Sequence, residues 1–307
     1  MHLYDRLALD LEQRIRSGVL RAGDRLPSVR RACEAQRLSP STVLKAYYLL
    51  ESRGLRVIEI PTHPRDGVSL ATLEDALRHH PVKACVLMLN FQHPMGSLVP
   101  EDSRHALLQL LRRHDVPLIE DDTYAELHFG RHAPLATKAL DTTGLVLHVS
   151  SFSKSLAPGY RIGWVAAGRY AQKIQRLKLS ASLATTIPVQ IALADFLKQG
   201  AFDTHLRRLR SALEVQEASM AAAIERHFPP GTGYTRPQGG YFVWVELPPA
   251  TDALVLHRQA LDVGISIAPG PIFSAKREYR NCIRLNFGHP WSDEIEQAMQ
   301  RLGAMMG

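Results

Sequence analysis

The chain has 307 residues, 45% of them hydrophobic and 22% charged, with a formal net charge of +7. That length supports one or two domains with sizeable cores, and the composition excludes a disordered or low-complexity chain. No apolar run reaches bilayer-spanning length, and the start Met1-His-Leu-Tyr-Asp-Arg6 lacks a signal-peptide core.

Cys33, Cys85 and Cys282 show no paired spacing, so reduced thiols in a cytoplasmic protein are expected instead of a disulfide frame or a zinc site.

In chain order, the first expected element is an amphipathic helix from Leu3 to Gly18, with Leu3, Leu7, Leu11 and Ile15 at four-residue spacing. Gly23-Asp24 makes a turn, and Pro27 and Ser28 open a short second helix through Ala35. Ser39 caps a third, from Pro40 to Gly54, with proline at its tolerated first position. Three short helices with a tight turn describe a helix-turn-helix, whose third helix enters the major groove. The residues placed to reach bases and phosphates there are Ser41, Thr42, Lys45 and Tyr48, while Arg25, Ser28 and Arg30 can clamp the backbone. Residues 1–55 carry ten Lys/Arg against six Asp/Glu, so more than half of the chain's positive excess sits in less than a fifth of its length. A three-helix packing element is the bland alternative. Against it stand the strings Gly23-Asp-Arg-Leu-Pro-Ser-Val-Arg30 and Leu38-Ser-Pro-Ser-Thr-Val43, then Ala46-Tyr and Gly54-Leu55. Together they resemble the winged helix-turn-helix of GntR-type regulators across all 55 positions.

From residue 56 strands and helices alternate, which predicts an α/β layered domain with a largely parallel sheet. Expected strands are Arg56–Ile60, Ala84–Leu89, Pro117–Asp121, Leu145–Ser150 and Ile162–Ala166. Functional groups then belong at their C-terminal ends. Asn90-Phe-Gln-His-Pro-Met-Gly96 ends one strand, and Ile119-Glu-Asp-Asp-Thr-Tyr124 ends another. The most telling stretch is Ser150-Ser-Phe-Ser-Lys-Ser-Leu-Ala-Pro-Gly-Tyr-Arg-Ile-Gly-Trp164. A lysine at the end of a buried strand is costly to desolvate, unless its amine adds to an aldehyde as a Schiff base. Ser151, Ser153 and Arg161 around Lys154 supply hydroxyl donors and a cation fork for a phosphate. Aldehyde and phosphate together point to pyridoxal 5′-phosphate (PLP). A carboxylate at the end of the Ile119 strand can pair with a protonated pyridine nitrogen. Nearer the C-terminus, Gly239–Pro248 and Cys282–Phe287 read as strands of a small α/β domain, joined by the loop Ala268–Ser274.

The Lys154 segment resembles that of fold-type-I PLP enzymes, the aminotransferase superfamily. The Asp-x-x-Tyr spacing of that superfamily selects Asp121 for the pyridine nitrogen and Tyr124 for the phenolic oxygen, leaving Asp122 as an exposed carboxylate capping the next helix. His93 stands where the superfamily usually has asparagine, and its ring N–H can still donate to the phenolic oxygen. Arg284 matches the arginine that holds a substrate carboxylate, a bidentate task that lysine does poorly.

A helix-turn-helix head joined to an aminotransferase-like body is similar to the MocR-type branch of GntR regulators. The resemblance implies an α/β chain in three parts: a head over 1–55, a partial large PLP domain over 56–180, and connecting helices with a small C-terminal α/β domain over 181–307. It also implies operator DNA and an amino-acid or amine effector as partners, a homodimer, and PLP as a sensed ligand. The alternative is a PLP-dependent aminotransferase working between amino acids and 2-oxo acids. In the family, a two-stranded wing, a linker and the first part of the large domain come after the head. Here Leu55 runs straight into Arg56-Val-Ile-Glu-Ile-Pro61, so a large internal deletion, with apolar faces left open and half of the phosphate cradle lost, is expected.

Overall fold

The computed structural model describes residues 3–17, 57–274 and 276–306. The chain divides into two compact units, 1–58 and 59–307. In the first, helix α1 spans Leu3–Arg16. Leu7, Ala8 and Leu11 form its buried stripe, whereas Ile15 is exposed. An Arg14–Asp10 pair at 3.0 Å lies on the solvent side, a geometry worth only a few tenths of a kcal/mol, roughly 0.3–0.5. The second and third helices of the head, with Arg25, Ser28, Arg30, Ser41, Thr42, Lys45 and Tyr48, lie outside the described residues.

The second unit opens with a two-residue antiparallel ladder, β1 (Thr62–His63) against β2 (Gly67–Val68). Of the strand expected over Arg56–Ile60, residues 57–60 form none: residues 57–61 have no ladder partner among the described residues, and Pro61 has no N–H to offer one. Helix α2 (Leu70–His79) comes next, capped by Ser69, whose hydroxyl accepts from Thr72 N.

Three parallel strands succeed it: β3 (Cys85–Leu87), β4 (Leu118–Asp121) and β5 (Val146–Ser151). Helix α3 (Glu101–Arg113) makes the first crossover. The sheet order is β3-β4-β5-β6, and β6 (Gly163–Ala166) pairs antiparallel with β5. Four of the five predicted strands are therefore present, three of them shortened and the Leu145–Ser150 strand shifted by one residue, and the sheet is parallel except at this edge.

Helices α4 (Ala171–Ser182), α5 (Ile187–Lys198) and the long α6 (Ala201–His227) lead to the small sheet. That sheet runs β7 (Gly233–Tyr234), β8 (Phe242–Glu246), β10 (Cys282–Asn286), β9 (Ala268–Pro269), all antiparallel. Helices α7 (Ala253–Asp262) and α8 (Asp293–Ala304) complete it.

Residue alternation sorts the parallel sheet into two faces. Leu118, Glu120 and Asp122 lie on one side with Val146, His148 and Ser150, by the β4–β5 register. This side is closed: Leu73, Leu77, Leu107, Leu108 and Leu111 from α2 and α3 form one buried cluster with Cys85, Leu118 and Val146. On the other side Val86 and Val165 are 67% and 40% exposed. Parallel sheets ordinarily bury both faces, so the open side fits the expected exposure of apolar surface. A second cluster, centred on Phe242, Val245, Ile283, Leu285 and Ile224, builds the small domain.

Candidate cofactor-binding site

The ends of β3, β4 and β5 bring three chain segments together. After β3, a tight turn is closed by Gly96 N to Gln92 O and Gln92 N to Ser97 O. Gly96 has φ +74, and a Cβ there would meet Pro237 Cβ at 3.1 Å, so glycine serves both the conformation and the close approach. His93 projects from this turn.

Lys154 Nζ stands 5.8 Å from the ring centres of both Tyr124 and Tyr241. The two tyrosines meet edge to face at 5.5 Å. Burial, and then the neighbouring Tyr241, push the Tyr124 hydroxyl up to about 12. Arg284, from the middle of β10, donates Nη1 to His93 Nε2. Arginine can only donate, so this contact fixes His93 as the neutral tautomer with its proton on Nδ1. Burial, then Arg284 and Lys154, hold the imidazole down at about 4.

Ser151, Ser153 and Arg161 also gather. Ser151 Oγ accepts from Ser153 N at 3.4 Å, and Arg161 Nη1 donates to Ser153 Oγ at 3.4 Å. Arg161 sits in the left-handed region at φ 53, a conformation that costs a non-glycine residue about 1–2 kcal/mol. Asp121 lies on the open face, paired in register with Val149 two residues before Ser151. Its carboxylate accepts from Thr123 N and Oγ1.

Two expectations are corrected. Asp122 is not an exposed cap: it is 5% exposed and accepts from Asn90 Nδ2 at 2.7 Å and pairs with His148 Nε2 at 2.8 Å. The alternation that turns Asp121 outward turns Asp122 into the covered face. Lys154 is not buried either. It is exposed, because the sheet face beside it is open, so the expected desolvation cost does not arise.

Sequence reasoning missed Tyr241, Phe242 and Phe273, which wall the site, and the buried chain Arg104–Asn90–Asp122–His148. The Tyr241-Phe242 doublet at the start of a strand is the one signal that could have found the first group. Buried polar partners from separate segments leave no such mark.

The fold and this cluster are like those of the fold-type-I aminotransferases. Residues 47–302 match the family "Aminotransferase class I and II", and residues 3–59 match "Bacterial regulatory proteins, gntR family". The chain belongs to the class I and II aminotransferase family, joined to a GntR helix-turn-helix head in the MocR-like arrangement. It is 44% identical over 261 residues to the uncharacterized HTH-type transcriptional regulator YdcR of Escherichia coli, covering 85% of this chain and 56% of that protein. Against the regulator YjiR of the same organism it is 40% identical, covering 83% and 54%. The chain thus spans about half the length of these regulators. The crystal structure of LysN, the α-aminoadipate aminotransferase of Thermus thermophilus complexed with N-(5′-phosphopyridoxyl)-L-leucine, superposes with a TM-score of 0.78. It is 32% identical, covering 87% of this chain and 68% of that one. PLP is the cofactor of this fold family. Among the described residues no helix is long and apolar enough to cross a membrane.

Proposed function

We propose that this chain is a DNA-binding transcription regulator whose aminotransferase-like body holds PLP and responds to an amino-acid or amine effector. The observation that carries the reading is a GntR head running directly into a body that keeps the lysine, tyrosine, arginine and hydroxyl set of a PLP site. The donor set suits the group at both ends. Ser151, Ser153 and Arg161 would hold its phosphate, with Arg161 as the charge-assisted donor. Asp121, on the open face, would meet the pyridine nitrogen, and Tyr124 and His93 would donate toward the phenolic oxygen. Lys154 would offer its amine, and Arg284 would take a ligand carboxylate. When bound, PLP supplies an aldehyde for amine capture and a ring that withdraws electrons.

In this reading the head binds operator DNA through Ser41, Thr42, Lys45 and Tyr48, with Arg25, Ser28 and Arg30 on the backbone. Two chains pair as a homodimer in the cytoplasm, setting the half-site spacing. The segments divide at 55 and 180, and the stretch lost after the head removes the wing and part of the phosphate cradle. Cofactor affinity is then weaker than in a longer relative.

A second reading, a PLP-dependent aminotransferase, is favoured by the retained Lys154, Asp121, Tyr124 and Arg284 together with the likeness to LysN.

One experiment separates them. The purified chain is titrated with PLP, reduced with borohydride and mapped, with the label expected on Lys154. The same samples are tested by gel shift on a random-sequence duplex pool at several salt concentrations. Salt-sensitive binding that Arg30→Ala and Lys45→Ala largely abolish supports the regulator. Label on another lysine, such as Lys138, sinks the cofactor assignment. Amino transfer without DNA binding moves the conclusion to the enzyme.

A further inference from the structure

Arg284 is already engaged. Nη1 donates to Nε2 of His93, and Nε is sealed from solvent with no hydrogen-bond partner among the described residues. The guanidinium carbon lies 5.9 Å and 5.6 Å from the Phe242 and Phe273 ring centres. His93 meets the same two rings edge-on at 5.0 Å and 5.1 Å. A guanidinium grips a carboxylate with two parallel N–H groups from one edge. Here both edges are compromised: His93 occupies one member of the Nη1/Nη2 pair, and burial closes the Nε member of the other.

We propose that His93 is a specificity-determining residue that competes with the ligand's carboxylate for Arg284, so that the pocket penalises carboxylate-bearing ligands relative to uncharged ones of the same shape. The inference rests on the reading of Arg284 as the carboxylate-binding residue. To be gripped at two points, a carboxylate must displace the imidazole, and the lost neutral acceptor is deducted from what the charged one contributes. Hydrogen bonds to a charged group typically correspond to a factor of about ten or more in affinity. An asparagine, the usual family residue here, is shorter and lacks the ring that Phe242 and Phe273 hold in place. The substitution to histidine therefore places an internal competitor in the pocket.

The test is calorimetry on the full chain with a matched pair of probes, 3-phenylpropanoate and 3-phenylpropanol. His93→Phe keeps a ring between Phe242 and Phe273 but deletes the acceptor, and His93→Ala deletes both. The expected result is that His93→Phe tightens the propanoate about tenfold or more and changes the alcohol by less than about twofold. Adding Arg284→Gln should erase that gain. Propanoate binding that is unchanged, weaker or undetectable in both His93 variants overturns the proposal; weaker binding would mean that His93 positions Arg284 instead. A gain that survives Arg284→Gln overturns it as well. The visible absorbance of added PLP, read on the same samples, reports Lys154 separately, so failure of the cofactor reading is distinguishable from failure of this one.

Discussion

Asp121 and Asp122 are neighbours in sequence and opposites in the fold. The first ends on the open face of the parallel sheet, bonded among the described residues only to Thr123 next door. The second turns into the face covered by α2 and α3, where it joins Asn90 and His148. Both are carboxylates, so the difference lies in what covers them. A carboxylate in a closed, partnered setting holds the sheet together, whereas one at an open strand end is available to a ligand. The same contrast separates Leu107, with no exposure, from Val86 at 67%.

The largest effect should come from the covered face. Arg104 is 2% exposed, and its guanidinium donates to the carbonyls of Val99, Leu135 and Leu89 and to Asn90 Oδ1. Arg104→Leu removes the side-chain donor to the Val99 and Leu135 carbonyls and to Asn90 Oδ1, together with the cation beside buried Glu120, and should destabilise the chain by about 3–5 kcal/mol. Urea unfolding checks it; a loss below about 1 kcal/mol would mean that water satisfies the network and that the face is open to solvent.

Next comes the apolar pair. Leu107→Ala should cost about 2–5 kcal/mol through the cavity it leaves, while Val86→Thr should stay within about 0.5 kcal/mol, as exposed positions do. A large loss at Val86 would show that something covers the open face in solution, and the contrast between faces would collapse. The adjacent aspartates sharpen the same point. Asp122→Ala, which takes the partner from Asn90 Nδ2 and His148 Nε2, should cost about 1–3 kcal/mol. Asp121→Asn should leave stability nearly unchanged yet reduce the PLP absorbance.

Legibility in the sequence depends on the kind of signal involved. Strand positions after residue 80 are readable from apolar runs bounded by turns, and the Lys154, Tyr124 and Arg284 positions from motif spacing. The structure brings Lys154 and Tyr124 together, and sets Arg284 against His93. The face each aspartate takes is not readable, because a one-residue shift of strand end exchanges the two faces. Nor is the engagement of Arg284, which depends on two segments 191 residues apart meeting at one ring. The exposure of Lys154 escapes the sequence too: an apolar strand suggests burial on both faces, and local sequence does not record which covering elements are present.

The last effect is in the pH dependence, where two histidines on opposite sides of the comparison should pull in opposite directions. His93 is held well below its ordinary 6.5, at about 4, by burial and by Arg284 and Lys154; Tyr124 and Tyr241 complete the site around Lys154. The unfolded chain therefore takes up a proton at this position before the folded one does. Stability should fall as pH drops below about 6.5, levelling near 4. For His148, burial pulls the imidazole down, but its hydrogen bond and charge contact with Asp122 outweigh that and raise it above 6.5. Its contribution is fully present below 6.5 and is lost as pH rises through the raised value. Neither slope exceeds the roughly 1.4 kcal/mol per pH unit that one full proton gives. Urea midpoints from pH 4 to 8 should show His93→Phe flattening only the acid limb and His148→Asn only the neutral-to-alkaline one. If His93→Phe leaves the acid limb untouched, the imidazole is not held below its ordinary range by its neighbours.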